Sequence, residues 1–208
     1  DKPAEPINEE ELQIRTQYWG GSEAVTKRLH AIHHAKYDVV VFLEYAPQNL
    51  CEYMSPQASE GTRTARPNME MVEKDINSTA AFMAKKGLLH LDTHHGNIVT
   101  DGERLYFTDF GLAISQDFEL SDAEREFFAQ NKGYDQALAL SCFDWPAKTR
   151  NGEVVAKLPE VVAVARKYKK LATLTEKFRE ELRDDKSKSV KYPAEKMMEL
   201  LRQITIDQ

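Results

Sequence analysis

The stretch His90 to Gly111, HLDTHHGNIVTDGERLYFTDFG, sets two short apolar runs among histidine, carboxylate and amide side chains. Its middle, NIVT-DG-ERLYFT, places β-rich runs on either side of Asp101-Gly102, a dipeptide suited to the left-handed backbone of a tight turn. The spacing predicts a hairpin turning on those two residues, with the polar residues on loops at either end of it. Asp92 and Asn97 precede the first run and Asp109 follows the second, so the two ends of one hairpin can deliver all three to a common rim. Mg²⁺ takes hard oxygen ligands, keeps several waters, and is commonly held by one or two carboxylates plus substrate phosphates. Asn97 and Asp109 are candidate ligands of that kind. Asp92 is a candidate to orient an acceptor hydroxyl and receive its proton.

Upstream of this stretch, Met69, Val72, Ile76, Ala80 and Met83 recur every three or four residues from Asn68 to Lys86, which predicts an amphipathic helix stopped by Gly87. Before it, SPQASEGTRTARPN reads as a polar loop and QNLCEYM as a short helix. DVVVFLEY, Asp38 to Tyr45, is a run of β-branched and large apolar residues too short for a typical helix; it predicts a strand buried on both faces. Two helices are expected nearer the start, in INEEELQIRTQYW and in SEAVTKRLHAIHHA, the second capped by Ser22. His30, His33 and His34 close that second helix and are read as structural.

Downstream, SDAEREFFAQN and YDQALALSCFDW are helical in pattern. The long LPEVVAVARKYKKLATLTEKFREELRD reads as one helix with Val161, Val164, Tyr168, Leu171, Leu174, Phe178 and Leu182 along one face. RDDKSKSVK is a solvated linker, and a last helix begins at Pro193.

The 208 residues, 41% hydrophobic and 30% charged, suit a globular protein with one sizeable core or two small lobes. A net charge of −6 argues against a general nucleic-acid or anionic-membrane binder, since those surfaces select clustered positive charge. Cys51 and Cys142 sit in apolar contexts without ligand-like spacing and are read as reduced thiols of a cytoplasmic protein. No apolar run is long enough to span a bilayer, and DKPAEPINEEE has no apolar core of an export signal.

HLDTHHGN, through His90, Asp92 and Asn97, resembles the catalytic-loop pattern H-x-D-x-x-x-x-N of the protein-kinase-like superfamily, and Asp109-Phe110-Gly111 resembles its DFG motif. The order, the hairpin between the motifs, the preceding helix ending GLLH and the hinge-like EYAPQNL carry the resemblance over roughly Asp38 to Ser115. It implies an α+β protein-kinase-like fold, mostly the helical C-terminal lobe, with a reduced, missing or unrecognised N-terminal lobe. Residues 1–45 would be the remnant of that lobe with its hinge strand, and 46–208 the helical lobe with catalytic loop and DFG motif. By the same resemblance Asp92 is the catalytic aspartate, Asn97 and Asp109 hold Mg²⁺, His90 braces the loop, and Glu44, Tyr45 and Ala46 offer backbone groups to the adenine of ATP.

Within the superfamily the loop is closer to aminoglycoside and choline kinases, whose H-G-D-x-H-x-x-N is matched by His94. His94 and His95 are thus candidates to donate to a phosphate oxygen. No A-P-E follows the DFG motif, which favours a small-molecule acceptor over a protein substrate. No G-x-G-x-x-G and no V-A-I-K-like strand precede Glu44. The expected activity is transfer of the γ-phosphate of Mg-ATP to an acceptor hydroxyl; the alternatives are an atypical protein Ser/Thr kinase and a non-catalytic, pseudokinase-type binding module. Asp122, Glu124, Glu126 and Asp144 are candidates to recognise a cationic acceptor. Zinc on His94 and His95 is disfavoured, because adjacent histidines point apart and no third ligand stands at familiar spacing.

Overall fold

The computed structural model describes residues 8–37, 39–55, 66–145, 147–148, 154–155, 158–185 and 189–206, with backbone alone at 147–148, 154–155 and 205–206. The expected polar loop from Ser55 to Asn68 and the RDDKSKSVK linker lie partly outside these residues. The chain is α+β, mainly helical with small antiparallel sheets. It divides into two compact units, one of residues 1–45 and 177–191, the other of residues 46–176 and 192–208.

In the first unit, α1 (Glu9–Tyr18) starts where the Asn8 side chain accepts the N–H groups of Glu10 and Glu11. Gly20 and Gly21, both at φ +71, turn the chain into α2 (Glu23–His33), and the Thr16 and Thr26 hydroxyls meet at 3.0 Å. No residue of α1 or α2 is buried. His30, His33 and His34 end α2 with their rings stacked or edge-on to one another.

The expected strand is absent. Residues 39–45 belong to no strand, and Val39, Phe42 and Tyr45 are 92%, 93% and 84% exposed; Asp38 lies outside the described residues. Strand propensity expresses a fit to neighbouring strands and covered faces, and none of the described strands pairs with this run.

In the second unit, β1 (Gln48–Asn49) leads into α3 (Leu50–Tyr53) through a capping box between Asn49 and Glu52. Asn68 caps α4 (Met69–Lys85), which buries Met69, Val72, Ile76, Ala80 and Met83, as its 3.6-residue period predicts. Gly87, at φ +72, ends α4 and starts β2 (Leu88–Leu89). The hairpin follows as β3 (Ile98–Thr100) and β4 (Leu105–Phe107), and β1 joins it to give the antiparallel order β1-β3-β4. A 3₁₀ turn (Phe110–Leu112) then leads to β5 (Ile114–Ser115), which pairs with β2.

The hairpin loop has four residues, Asp101 to Arg104, because Thr100 pairs with Leu105 and not with Glu103. The cause is the Asp101 carboxylate, which accepts the N–H groups of Glu103 and Arg104 and the Tyr106 hydroxyl, all within 3.0 Å. Those hydrogen bonds hold its carboxyl down at about 2. Asp75 of α4 accepts the Leu105 N–H at 2.9 Å and ties the hairpin to the helix.

The remaining helices are α5 (Asp122–Gln130), started by a Ser121–Glu124 capping box, and α6 (Tyr134–Ser141), which runs into a 3₁₀ turn (Cys142–Asp144). A two-stranded ribbon follows, β6 (Ala147–Lys148) with β7 (Val154–Val155). The expected single long helix is two, α7 (Pro159–Lys167) and α8 (Lys169–Asp184), broken at Tyr168. Tyr168 is buried beside Phe143, and its hydroxyl and the Lys167 ammonium both reach Glu73 Oε1, at 2.6 and 2.7 Å. Two consecutive side chains held by one residue of α4 mark the turn, without a glycine or proline to announce it. Last comes α9 (Ala194–Ile206).

The core of this unit gathers Leu50, Val72, Ile76 and Ile98 with Leu140 and Phe143, then Leu171 and Met197. Among the described residues no helix is long and apolar enough to cross a membrane. Ile76 is fully buried, so Ile76→Ala is expected to cost about 2–5 kcal/mol of unfolding free energy in urea melts, the usual range for a core cavity. A change under a few tenths would place Ile76 outside the core. An NMR titration of the Asp101 carboxyl should show its midpoint near 2, below the ordinary 3.8. The sign is that of a depressed acid: its support of the turn is complete above the ordinary carboxylate range and is lost as pH falls toward 2. An ordinary midpoint would mean the turn does not hold this side chain.

Candidate functional site

The loop from His90 to Asn97 enters from β2 and leaves into β3, so both its ends are fixed by sheet pairing. Between them it is clamped from α6. Asp135, 1% exposed in the first turn of that helix, accepts the His90 N–H at 2.7 Å on one oxygen and the Leu91 N–H at 2.8 Å on the other. The buried Thr93 hydroxyl donates to the Asp135 carbonyl at 2.8 Å. Leu91 is held at φ +63, a left-handed conformation that a leucine adopts only under constraint, and the Asp135 bonds supply it. Burial pushes the Asp135 carboxyl above its ordinary range, and the two N–H groups oppose that rise.

His90 is fully buried. Its Nε2 lies 2.8 Å from the Thr108 carbonyl, and its Nδ1 accepts the Asp92 N–H at 3.3 Å. A carbonyl only accepts and an amide N–H only donates, so the ring is neutral with its proton on Nε2. The ring lies 4.5 Å from that of Phe110, centre to centre, and 6.3 Å from that of Phe107. One side chain thus links the loop, the end of β4 and the turn that follows Asp109.

Asp92 and Asn97 are joined directly. The Asn97 Nδ2 donates to both the Asp92 carbonyl and Asp92 Oδ2, each at 3.0 Å. Both acceptors lack protons to give, which orients the amide: its NH₂ faces Asp92 and its Oδ1 is left over as a hard oxygen donor. Thr108 N–H donates to the Asn97 carbonyl at 2.9 Å, extending the hairpin pairing by one step. Asp109 therefore follows directly on the residue bonded to Asn97. It is exposed, sits at φ +61 and accepts only the Gly111 N–H, at 3.3 Å on Oδ1, among the described residues. A left-handed aspartate costs less than most residues there, because its own carboxylate bonds the local backbone.

His94 points back at Asp92. Its Nδ1 accepts the Gly96 N–H at 2.9 Å, and its Nε2 stands 3.7 Å from Asp92 Oδ2. The His95 ring turns the other way, edge-on to Trp145 at 5.0 Å. The structure thus brings Asp92, His94 and Asn97 together, joins Asn97 to Thr108, the residue before Asp109, and sets the His95 ring against Trp145. Glu44 and Tyr45 belong to the first unit and Ala46 opens the second; all three have backbone outside any strand.

The acids considered for a cationic acceptor have other partners. Asp122 pairs with Arg125, Glu124 closes the Ser121 capping box, Glu126 accepts from Gln130, and Asp144 pairs with Lys169. Asp135 and Thr93 were not legible as site residues. An acid in the first turn of a helix ordinarily reads as a complement to the helix dipole, and nothing in GYDQALA marks one whose partners lie 44 and 45 positions away. No protein-family profile matches the chain, and no curated protein matches it.

Asp135→Asn keeps one acceptor oxygen but sets an NH₂ against the second N–H, so two donors face each other in a buried place. The expected loss is about 1–3 kcal/mol of stability, with faster hydrogen exchange at the His90 and Leu91 amides. Unchanged exchange at those two amides would remove Asp135 as the anchor of the loop.

Proposed function

We propose that the chain is a Mg²⁺- and ATP-dependent phosphotransferase of protein-kinase-like fold that acts on an acceptor hydroxyl. The observation that carries this reading is the Asn97 amide, which holds Asp92 Oδ2 with its nitrogen and keeps its oxygen for a cation. One residue would thereby align a proton acceptor and offer a metal ligand, with Asp109, next in sequence to the residue bonded to Asn97, as the second ligand. The donor set, an amide oxygen and an exposed carboxylate, fits a hard cation that keeps water and phosphate oxygens as its other ligands. Mg²⁺ held by Asn97 and Asp109 would neutralise the phosphates of the nucleotide.

The chain's own residues do the rest. Asp92 orients the acceptor hydroxyl toward the γ-phosphorus and takes its proton, the acceptor oxygen bonds to that phosphorus, and the bond to the bridging oxygen breaks with its electrons leaving on ADP. A small-molecule acceptor is favoured by the matched His94 and by the short path after the DFG motif, where the Gln116 N–H returns to the Gly87 carbonyl and α5 opens at Asp122.

Calorimetric titration of ATP with and without Mg²⁺ tests the site. Binding is expected only with Mg²⁺ and is lost in Asp109→Ala. Asp92→Ala should bind ATP within a few-fold of the parent and lose turnover on sugars, aminoglycosides or amino alcohols by about 10²- to 10⁴-fold, the worth of a general base. Full turnover in Asp92→Ala would refute the assignment. Mg-ATP binding without transfer to any hydroxyl would make the chain a non-catalytic module, and labelling of proteins in preference to small alcohols would make it a protein kinase.

A further inference from the structure

We propose that the loop locks the His94 ring with its Nε2–H facing one oxygen of Asp92, Oδ2, so that the other oxygen, Oδ1, takes the acceptor's proton. His94 is then a positioning residue, and Gly96 is the residue that positions it. The proton step rests on the phosphotransfer reading of Asp92; the arrangement of the ring does not.

An imidazole nitrogen that accepts an N–H carries no proton of its own. His94 Nδ1 accepts from Gly96 at 2.9 Å, so the neutral ring carries its proton on Nε2, the atom that faces Asp92 Oδ2 at 3.7 Å. That separation exceeds a hydrogen bond but is short enough for the N–H dipole to act on the carboxylate. The same Oδ2 already accepts Asn97 Nδ2 at 3.0 Å. One donor bonds Oδ2 and a second N–H faces it, while Oδ1 accepts no hydrogen bond from the described residues. With Nδ1 engaged and Nε2 protonated, the neutral His94 ring has no lone pair left for a substrate proton, and base duty falls to Asp92.

Gly96 makes this geometry possible by its size. Its backbone is not left-handed, so glycine is not required there for conformation. A Cβ at this position would stand 2.9 Å from His94 Cε1 and 3.1 Å from Nδ1, closer than packed side chains allow. The ring can swing aside at little cost to the fold, and doing so takes its Nε2–H away from Asp92. In the reaction, the acceptor O–H bond breaks with its proton passing to Asp92 Oδ1. The freed electron pair forms the bond to the γ-phosphorus, and the bridging P–O bond breaks toward ADP.

The test has one arm that needs no activity. Long-range ¹⁵N–¹H correlation spectra of the whole chain at about pH 8, above the ordinary imidazole range, are expected to show His94 protonated at Nε2 with Nδ1 bare. In Gly96→Ala that preference should weaken while the melting temperature stays within a few degrees. The second arm measures ATP hydrolysis with water as acceptor. His94→Phe is expected to lower kcat by about 3- to 10-fold, less than the worth of a full hydrogen bond to a charged group, with KM for Mg-ATP within twofold. His94→Gln, which restores a donor, should recover part of that loss, and adding Gly96→Ala to His94→Phe should cost nothing more, since both act through one ring. A proton on Nδ1 in the parent chain, a His94→Phe effect confined to KM, or additive losses in the double variant would overturn the proposal. An Nε2–H tautomer in a chain that turns over no ATP would overturn the phosphotransfer reading and its proton step, and leave the ring lock established.

Discussion

The buried carboxylate of Asp135 is the constraint on which the site depends. Two backbone N–H groups, at buried His90 and part-buried Leu91, point at this carboxylate, and a buried one left without an acceptor would cost about 1–3 kcal/mol. A carboxylate is the one side chain that offers an oxygen to each of two adjacent N–H groups. It therefore selects the unusual backbone of Leu91 and fixes the direction in which the loop leaves β2. The position of Asp92 follows, and Asn97 is then set by its two bonds back to Asp92. The raised pKa of Asp135 is the electrostatic cost of this arrangement, accepted because the same group satisfies two donors at once.

The same device recurs at lower stakes. Asp101 shapes the hairpin loop, Asp75 fastens the hairpin to α4, and asparagines at 8, 49 and 68 open three helices. In each case a short polar side chain takes up backbone donors that the regular structure leaves over. The hairpin is consequently held at both ends: by Asp101 at its tip, and at its base by the Thr108 N–H bond to Asn97 and the His90 bond to the Thr108 carbonyl. Through that base the hairpin links two residues as far apart in sequence as Asn97 and Thr108, the neighbour of Asp109.

What the sequence revealed and concealed follows from the range of the forces involved. Whereas Ser22, expected to cap α2, makes no side-chain bond there, the amphipathic period of α4, its stop at Gly87 and the hairpin's existence rest on neighbours within a few residues, and all were legible. The four-residue loop was not, since Asp101-Gly102 suits a two-residue turn until Asp101 spends its oxygens on Glu103, Arg104 and Tyr106. The break at Tyr168 was hidden for the same reason at longer range, because Glu73, the group that imposes it, stands 95 positions earlier. Among the site residues, Asp92, Asn97 and Asp109 were visible as a spaced set of oxygens. Asp135 was invisible, because its partners are backbone amides, and every residue but proline has one.

Val39 to Leu43 shows the opposite error, in which a local signal is present and the structure it announces is not. β-branched side chains restrict the backbone to extended conformations, and the run is indeed without helix. Extension by itself buries nothing: a strand's N–H and C=O groups point sideways to neighbours, and its side chains need cover above and below. Phe42 at 93% exposure therefore measures missing neighbours and says nothing against the residue's preference. A helix closes its own hydrogen bonds and can be read from one segment, whereas a strand is a property of at least two. The two-residue strands β1, β2 and β5 make the point from the other side, since they carry no such apolar run and are strands only because a partner lies in register beside them.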